Sequence, residues 1–119
     1  MEWIKKNNEE ILVCNQFALE DGTMVPLLSY PLLTETGIVK HCFTTRMGGV
    51  SKGIFSSMNL SFTRGDEKED VMENYKRLAE ALGVSLENFV FTDQTHTTNV
   101  LQVTEKDAGK GILRERDYQ

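Results

Sequence analysis

One helix, marked at both ends, constrains this chain more than any other feature. Asp66 stands as a side-chain cap with Glu69 three residues on, an acidic variant of the capping box, and Gly83 offers the left-handed position at which a helix can end. Between them Val71, Tyr75, Leu78, Ala79 and Leu82 recur on one face, and Glu73 precedes Arg77 by four residues, the spacing of a supporting ion pair. The pattern predicts a helix over 67–82 that serves as scaffold. Ahead of it, Ile11 to Leu19 and Thr23 to Tyr30 read as extended runs joined by Glu20-Asp21-Gly22, and Asp-Gly supplies the positive φ of a tight hairpin turn. Pro26 lacks a backbone donor, which predicts a sheet-edge position for the second run, and Pro31 ends it. Ile38 to Thr45 reads as a third strand, rich in β-branched and aromatic residues. Asn88 to Thr92 and Asn99 to Thr104 read as two further short strands. The fold class expected is α/β: a mixed β-sheet with an N-terminal β-hairpin and one long amphipathic helix.

At 119 residues the chain has room for one domain or part of one. Its regions are a hairpin region over 1–37, a motif-bearing region over 38–104, and a tail over 105–119 that carries eight charged residues and reads as mobile. No apolar run is long enough to span a bilayer and no apolar signal core follows the N-terminus, so the expected location is cytoplasmic. The net charge of −5 disfavours non-specific attraction to nucleic acid or to an anionic membrane. Cys14 and Cys42 are too few for a disulfide framework and lack zinc-site spacing, so both read as reduced and buried.

The charge is unevenly spread. From Thr36 to Gly65 there is no Asp or Glu, while Lys40, Arg46, Lys52 and Arg64 all fall there, together with five of the nine glycines and eight Ser or Thr. That combination suits a small anion; an ordinary solvated loop is the plainer alternative. Within it, Thr44 to Gly53 follows the third strand. Its Gly48 and Gly49 would let backbone N–H groups approach an oxyanion, with Ser51 beside them and Arg46 as a fixed fork of donors. The loop is neither a Walker loop nor a dinucleotide fingerprint, and a glycine turn with an exposed Arg fits equally. Asn59, in Ser56-Ser57-Met58-Asn59-Leu60, could bond a ribose hydroxyl or a base edge, or cap a turn. His96, flanked by Gln94 and threonines, could ligate a metal, act as a base, or be a hydrogen-bonded structural histidine. One His makes no zinc site, and His41 and Cys42, adjacent in a strand, would point to opposite faces.

Taken together, Phe43-Thr44-Thr45-Arg46-Met47-Gly48-Gly49-Val50-Ser51, Ser57-Met58-Asn59-Leu60, Gly65-Asp66 with the helix through Leu82-Gly83, and Gln94-Thr95-His96 resemble the N-terminal half of the laccase-domain family. These are the multicopper polyphenol oxidase-like proteins, regarded as purine nucleoside phosphorylases. The resemblance runs from about Ile38 to Val103. It implies a longer metal-dependent enzyme that cleaves purine nucleosides such as adenosine, inosine or guanosine with phosphate. Adenosine deaminase, methylthioadenosine phosphorylase and polyphenol oxidase activities are associated with it. Zinc is the implied metal, with copper as the alternative. His96 matches the first member of the family's His, Cys, His metal-binding and catalytic set, and Arg46 and Asn59 match polar positions at the substrate cleft, with Gly48, Gly49 and Ser51 in the same loop. Thr95 and Thr97 stand where the family usually has Val and Gly. The family's Cys, in an Ala-Asp-Cys motif, and its second His are expected beyond Gln119, in a C-terminal half of the same domain. The lone chain is therefore expected to be a truncated enzyme without activity, the alternative being a non-catalytic anion- or nucleoside-binding module.

Overall fold

The computed structural model describes residues 10–118, so the first nine residues of the hairpin region and Gln119 lie outside the described residues. The chain divides into two compact units at Leu82–Gly83. In the first, β1 (Val13–Ala18) and β2 (Met24–Ser29) form the expected antiparallel hairpin, with Val13 opposite Ser29 and Ala18 opposite Met24. Gly22 takes φ 84°, and Asp21 Oδ1 accepts from the Thr23 N–H at 2.8 Å, which closes the turn. Pro31 does end β2, as the first residue of a short helix, α1 (Pro31–Thr36), where its missing N–H costs nothing. Gly37 closes α1 with φ 69°.

Two expectations about the sheet are corrected. The third strand is β3 (Phe43–Thr44), two residues rather than eight, pairing with Leu28 and Leu27. Upstream of it the chain is tethered by a side chain instead of a ladder: His41 Nε2 accepts the Tyr30 N–H at 2.8 Å and the two rings stack at 6.2 Å. His41 and Cys42 thus precede the strand, and Ile38 is 85% exposed. Pro26 is not at an edge, because the order β1-β2-β3 makes β2 the middle strand. It is accommodated because β3 stops pairing at Leu27, leaving Pro26 partnered only with Gln16 of β1. All three strands are antiparallel.

The long helix, α2 (Lys68–Leu82), buries Val71, Tyr75, Leu78 and Ala79, as its periodicity predicts, with Leu82 half-buried at its end. It packs on β2, whose Val25, Leu27 and Leu28 are also buried, and Met58 and Leu19 complete this core. Burial of such side chains contributes about 1.5–3 kcal/mol each. Gly83 takes φ 71° at the helix end. The start differs by one residue from the reading above. The Val71 N–H bonds the Glu67 carbonyl, so helical bonding begins at Glu67, while Asp66 caps only the Glu67 N–H.

The second unit has two 3₁₀ turns, Leu86–Asn88 and Glu105–Asp107, and no strand over 88–92 or 99–104. Residues 89–91 reach the 109–110 stretch by two bonds, Gly109 N–H to Phe89 O and Phe91 N–H to Lys110 O. Two bonds do not make a ladder, and 99–103 has no neighbouring edge to pair with among the described residues. The stretch 105–118, read as a mobile tail, carries a capping box between Thr104 and Asp107. Lys110 bridges Asp107 at 2.7 Å and Asp117 at 2.9 Å. Cys14 and Cys42 are free, and half-buried rather than buried; desolvation pushes the Cys42 thiol up. No helix among the described residues is long and apolar enough to cross a membrane.

Candidate functional site

The glycine-rich loop after β3 is held on α2 by one residue. Asn74 is fully buried on the apolar face of the helix. Its Oδ1 accepts the Val50 N–H at 2.7 Å, and its Nδ2 donates to Ser51 Oγ at 2.9 Å and to the Asn59 carbonyl at 2.8 Å. Ser51, itself 3% exposed, donates a hydrogen bond from its hydroxyl to Asp66 Oδ2 at 2.5 Å. Asn59 Nδ2 donates to the same oxygen at 3.1 Å, and Asn59 Oδ1 accepts the Ser61 N–H at 3.1 Å. Asn74, Ser51, Asn59 and Asp66 are therefore one network joining helix, loop and helix start.

Four of the loop's amides are also committed. Met47 N–H bonds Thr45 Oγ1, Gly49 N–H bonds Ser57 Oγ, Val50 N–H bonds Asn74, and Ser51 N–H bonds the Ser57 carbonyl. Gly48 and Gly49 are close-approach positions. A Cβ on Gly48 would lie 3.0 Å from Met24 O, and one on Gly49 would lie 2.1 Å from Ser57 O. The peptide bond between Ser56 and Ser57 is cis. Arg46 differs from its neighbours. Its carbonyl accepts the Ser57 and Met58 N–H groups, which fixes its backbone, while its side chain is exposed and bonded only through Nε, to Ser56 O at 3.3 Å. Its two Nη groups carry no partner among the described residues, so Arg46 faces solvent from this loop, as does Lys52 at the loop's far end.

The structure thus brings Arg46, Gly48, Gly49, Ser51 and Asn59 together in the first unit. His96 belongs to the second. It sits exposed on the loop between Asp93 and Thr104 with φ 57°, flanked by Thr95 and Thr97, whose hydroxyls lie 3.5 Å apart. Its imidazole makes no hydrogen bond or ion pair among the described residues, so it is not a structural histidine of the kind His41 is. Among the described residues no group of three or more His, Cys, Asp or Glu is placed to hold a metal ion. These residues by themselves do not fit a resident metal.

Residues 40–118 match the model of the multi-copper polyphenol oxidoreductase laccase family. The chain belongs to this family. Among the laccase-family relatives, a protein of Geobacillus stearothermophilus named purine nucleoside phosphorylase YlmD is 44% identical over 68 residues, 57% of this chain and 25% of that protein. A purine nucleoside phosphorylase of Deinococcus radiodurans is 43% identical over 77 residues, 65% of this chain and 28% of that protein. The crystal structure of the Bacillus licheniformis hypothetical protein YfiH superposes with a TM-score of 0.67 at 32% identity, covering 82% of this chain and 34% of that one. The matched stretch therefore spans about a quarter to a third of these relatives' lengths.

Two residues of this loop network escape a pattern-based reading. Asn74 interrupts the apolar series Val71, Tyr75, Leu78 on the buried face of α2, and that interruption is the signal that could have found it. Asp66 reads as a helix cap, yet its second oxygen serves the loop. The Ser51 hydroxyl, and after it the Asn59 amide, hold the Asp66 carboxyl below the usual aspartate range. A carboxylate stabilised in the folded state in this way contributes fully above the unfolded pKa of about 3.9, and the contribution is lost as pH falls through the lowered folded value. Urea midpoints of the chain and of Asp66→Asn should accordingly differ at pH 7, and the difference should shrink progressively as pH falls below about 4. A difference that stays constant from pH 7 to pH 3 would exclude this role for the ionised carboxylate.

Proposed function

We propose that this chain forms a phosphate- and nucleoside-facing part of a purine nucleoside phosphorylase. The relatives' names support the reaction class, and one geometric observation carries the placement: Arg46 projects a guanidinium with both Nη groups free from a loop whose Met47, Gly49, Val50 and Ser51 amides are hydrogen-bonded. In phosphorolysis a phosphate oxygen attacks the anomeric carbon of the ribose, the glycosidic bond breaks, and its electron pair leaves with the purine, which takes up a proton. Both the incoming phosphate and the departing base carry negative charge. A guanidinium with both Nη groups free can hold two phosphate oxygens at once and offset that charge. Asn59 spends its amide on Asp66 and Ser61, so in this reading it positions the loop, and Gly48, Gly49 and Ser51 shape it. His96 offers a free imidazole on an exposed loop for proton transfer or as one ligand. Zinc or copper would need further ligands from outside the described residues, and no step is assigned to it. Substrate choice among adenosine, inosine and guanosine belongs to the same proposal, as do deaminase, methylthioadenosine phosphorylase and polyphenol oxidase side activities.

Calorimetric titration of inorganic phosphate into the chain tests the reading. Arg46→Ala should weaken binding at least ~10-fold, the worth of one charge-assisted hydrogen bond, with Arg46→Lys in between. Equal affinities in the three proteins would remove Arg46 from the phosphate site. The chain alone should not turn over inosine, because one imidazole does not organise a metal centre; turnover that disappears in His96→Ala would contradict this.

A further inference from the structure

Arg77 makes contacts that its place in an i,i+4 pair with Glu73 does not predict. Its Nε lies 4.0 Å from Glu73 Oε1, and that Nε is buried with no hydrogen-bond partner. The guanidinium turns off the helix instead. Nη1 donates to the Gly48 carbonyl at 3.0 Å, and Nη2 lies 3.8 Å from Asp21 Oδ2 in the hairpin turn. The Arg77 side chain is 17% exposed, against 58% for Asp21, so the bond to Gly48 is the shielded one. Gly48 is pressed on the start of β2, where a Cβ would meet Met24 O and Val25 Cα at 3.0 Å. Asp21 is locked in turn by the Thr23 N–H. Hairpin turn, glycine loop and α2 therefore meet at one cation, on the side of the loop away from the Asn74 bonds in sequence.

We propose that Arg77 is a positioning residue for phosphate recognition: by holding the Gly48 carbonyl to α2 and the hairpin turn, it sets the direction in which the Arg46–Met47 end of the loop presents the Arg46 guanidinium. Its consequence for binding rests on the phosphorylase reading above, while its effect on the loop does not. The planar fork of an arginine serves two acceptors in different directions, which a lysine ammonium on the same backbone does not reproduce.

The test uses Arg77→Lys and Arg77→Gln, with amide hydrogen exchange read residue by residue and the Kd for inorganic phosphate measured alongside. Exchange at the hydrogen-bonded Met47 and Gly49 amides should accelerate about 10-fold in both variants, with Val71, Tyr75 and Leu78 amides and the urea midpoint nearly unchanged. The phosphate Kd should rise about 5-fold although Arg46 is intact. Asp21→Asn, which removes only the turn-side charge, should accelerate the same loop amides by less. Wild-type exchange at Met47 and Gly49 in both Arg77 variants would overturn the proposal, as would loop and helix amides accelerating together, the mark of a purely structural residue. If the unmodified chain binds no phosphate, the phosphorylase reading fails, and the exchange rates still decide what Arg77 does to the loop.

Discussion

Asn74→Ala should destabilise the first unit by about 3–4 kcal/mol, a large share of the ~5–15 kcal/mol that holds a domain of ordinary stability. The substitution looks harmless by helix propensity, since Ala is the better helix former by several tenths of a kcal/mol. That gain is outweighed. Three hydrogen bonds of 2.7–2.9 Å disappear, each with a net value of about 1 kcal/mol, and the Val50 N–H and the Asn59 carbonyl lose partners in the interior. Asn74→Asp separates the two sides of the amide. It can still accept from Val50 but has no proton for Ser51 or the Asn59 carbonyl, and it places a charge in a fully buried position. It should be at least as damaging as Ala. Urea unfolding followed by circular dichroism reads both variants, and a loss below about 1 kcal/mol in Asn74→Ala would mean that the loop is not anchored through this residue.

Gly49→Ala should be strongly disruptive, its Cβ meeting the nearest obstacle among the described glycines compared. The added Cβ would sit 2.1 Å from the Ser57 carbonyl oxygen and 2.6 Å from both Asn74 Oδ1 and Met58 Cα. Two of those three atoms are backbone, and the third is fixed by the network, so nothing flexible can yield. The conflict is one of space, unlike Gly53, whose φ of 62° favours glycine but whose Cβ direction is open. Gly53→Ala should therefore cost roughly 1 kcal/mol, the ordinary penalty for a left-handed Ala. Gly49→Ala should cost more than ~3 kcal/mol or leave the chain unfolded. Thermal unfolding of the two variants side by side distinguishes them; equal melting temperatures would show that the loop does not lie against Ser57 and Met58.

How much of this was readable beforehand depends on the range of the forces involved. The hairpin and α2 were legible because their determinants are local: Asp21-Gly22 fixes a turn within four residues, and the 71, 75, 78, 79 spacing fixes a face within three turns. The third strand was misread in length because β-propensity over 38–45 says nothing about a partner edge, and the His41–Tyr30 contact turned the chain away before Phe43. The stretches 88–92 and 99–104 failed as strands for the same reason, with Val100 96% exposed and no edge beside it. In the loop, Arg46 was legible as one of the exposed cations of an acid-free segment. The loop amides read as anion donors because a sequence does not show which donors are already taken, and here Ser57 takes the Gly49 N–H and Asn74 the Val50 N–H. Asp66 was read for one of its oxygens only, since a cap is a local device and its contact with Ser51 spans fifteen residues.

The attachment of Val50 and Ser51 to the helix has a kinetic meaning as well. Binding loops commonly lose motional entropy when a ligand arrives, and association then waits on a rearrangement. Here Val50 and Ser51 are held by a residue of α2 itself, so their end of the loop should open only with the helix. An anion meeting Arg46 would find the backbone already in its final shape, so encounter should be governed by diffusion and by the local positive field, and should slow with added salt while showing no saturating, ligand-independent step.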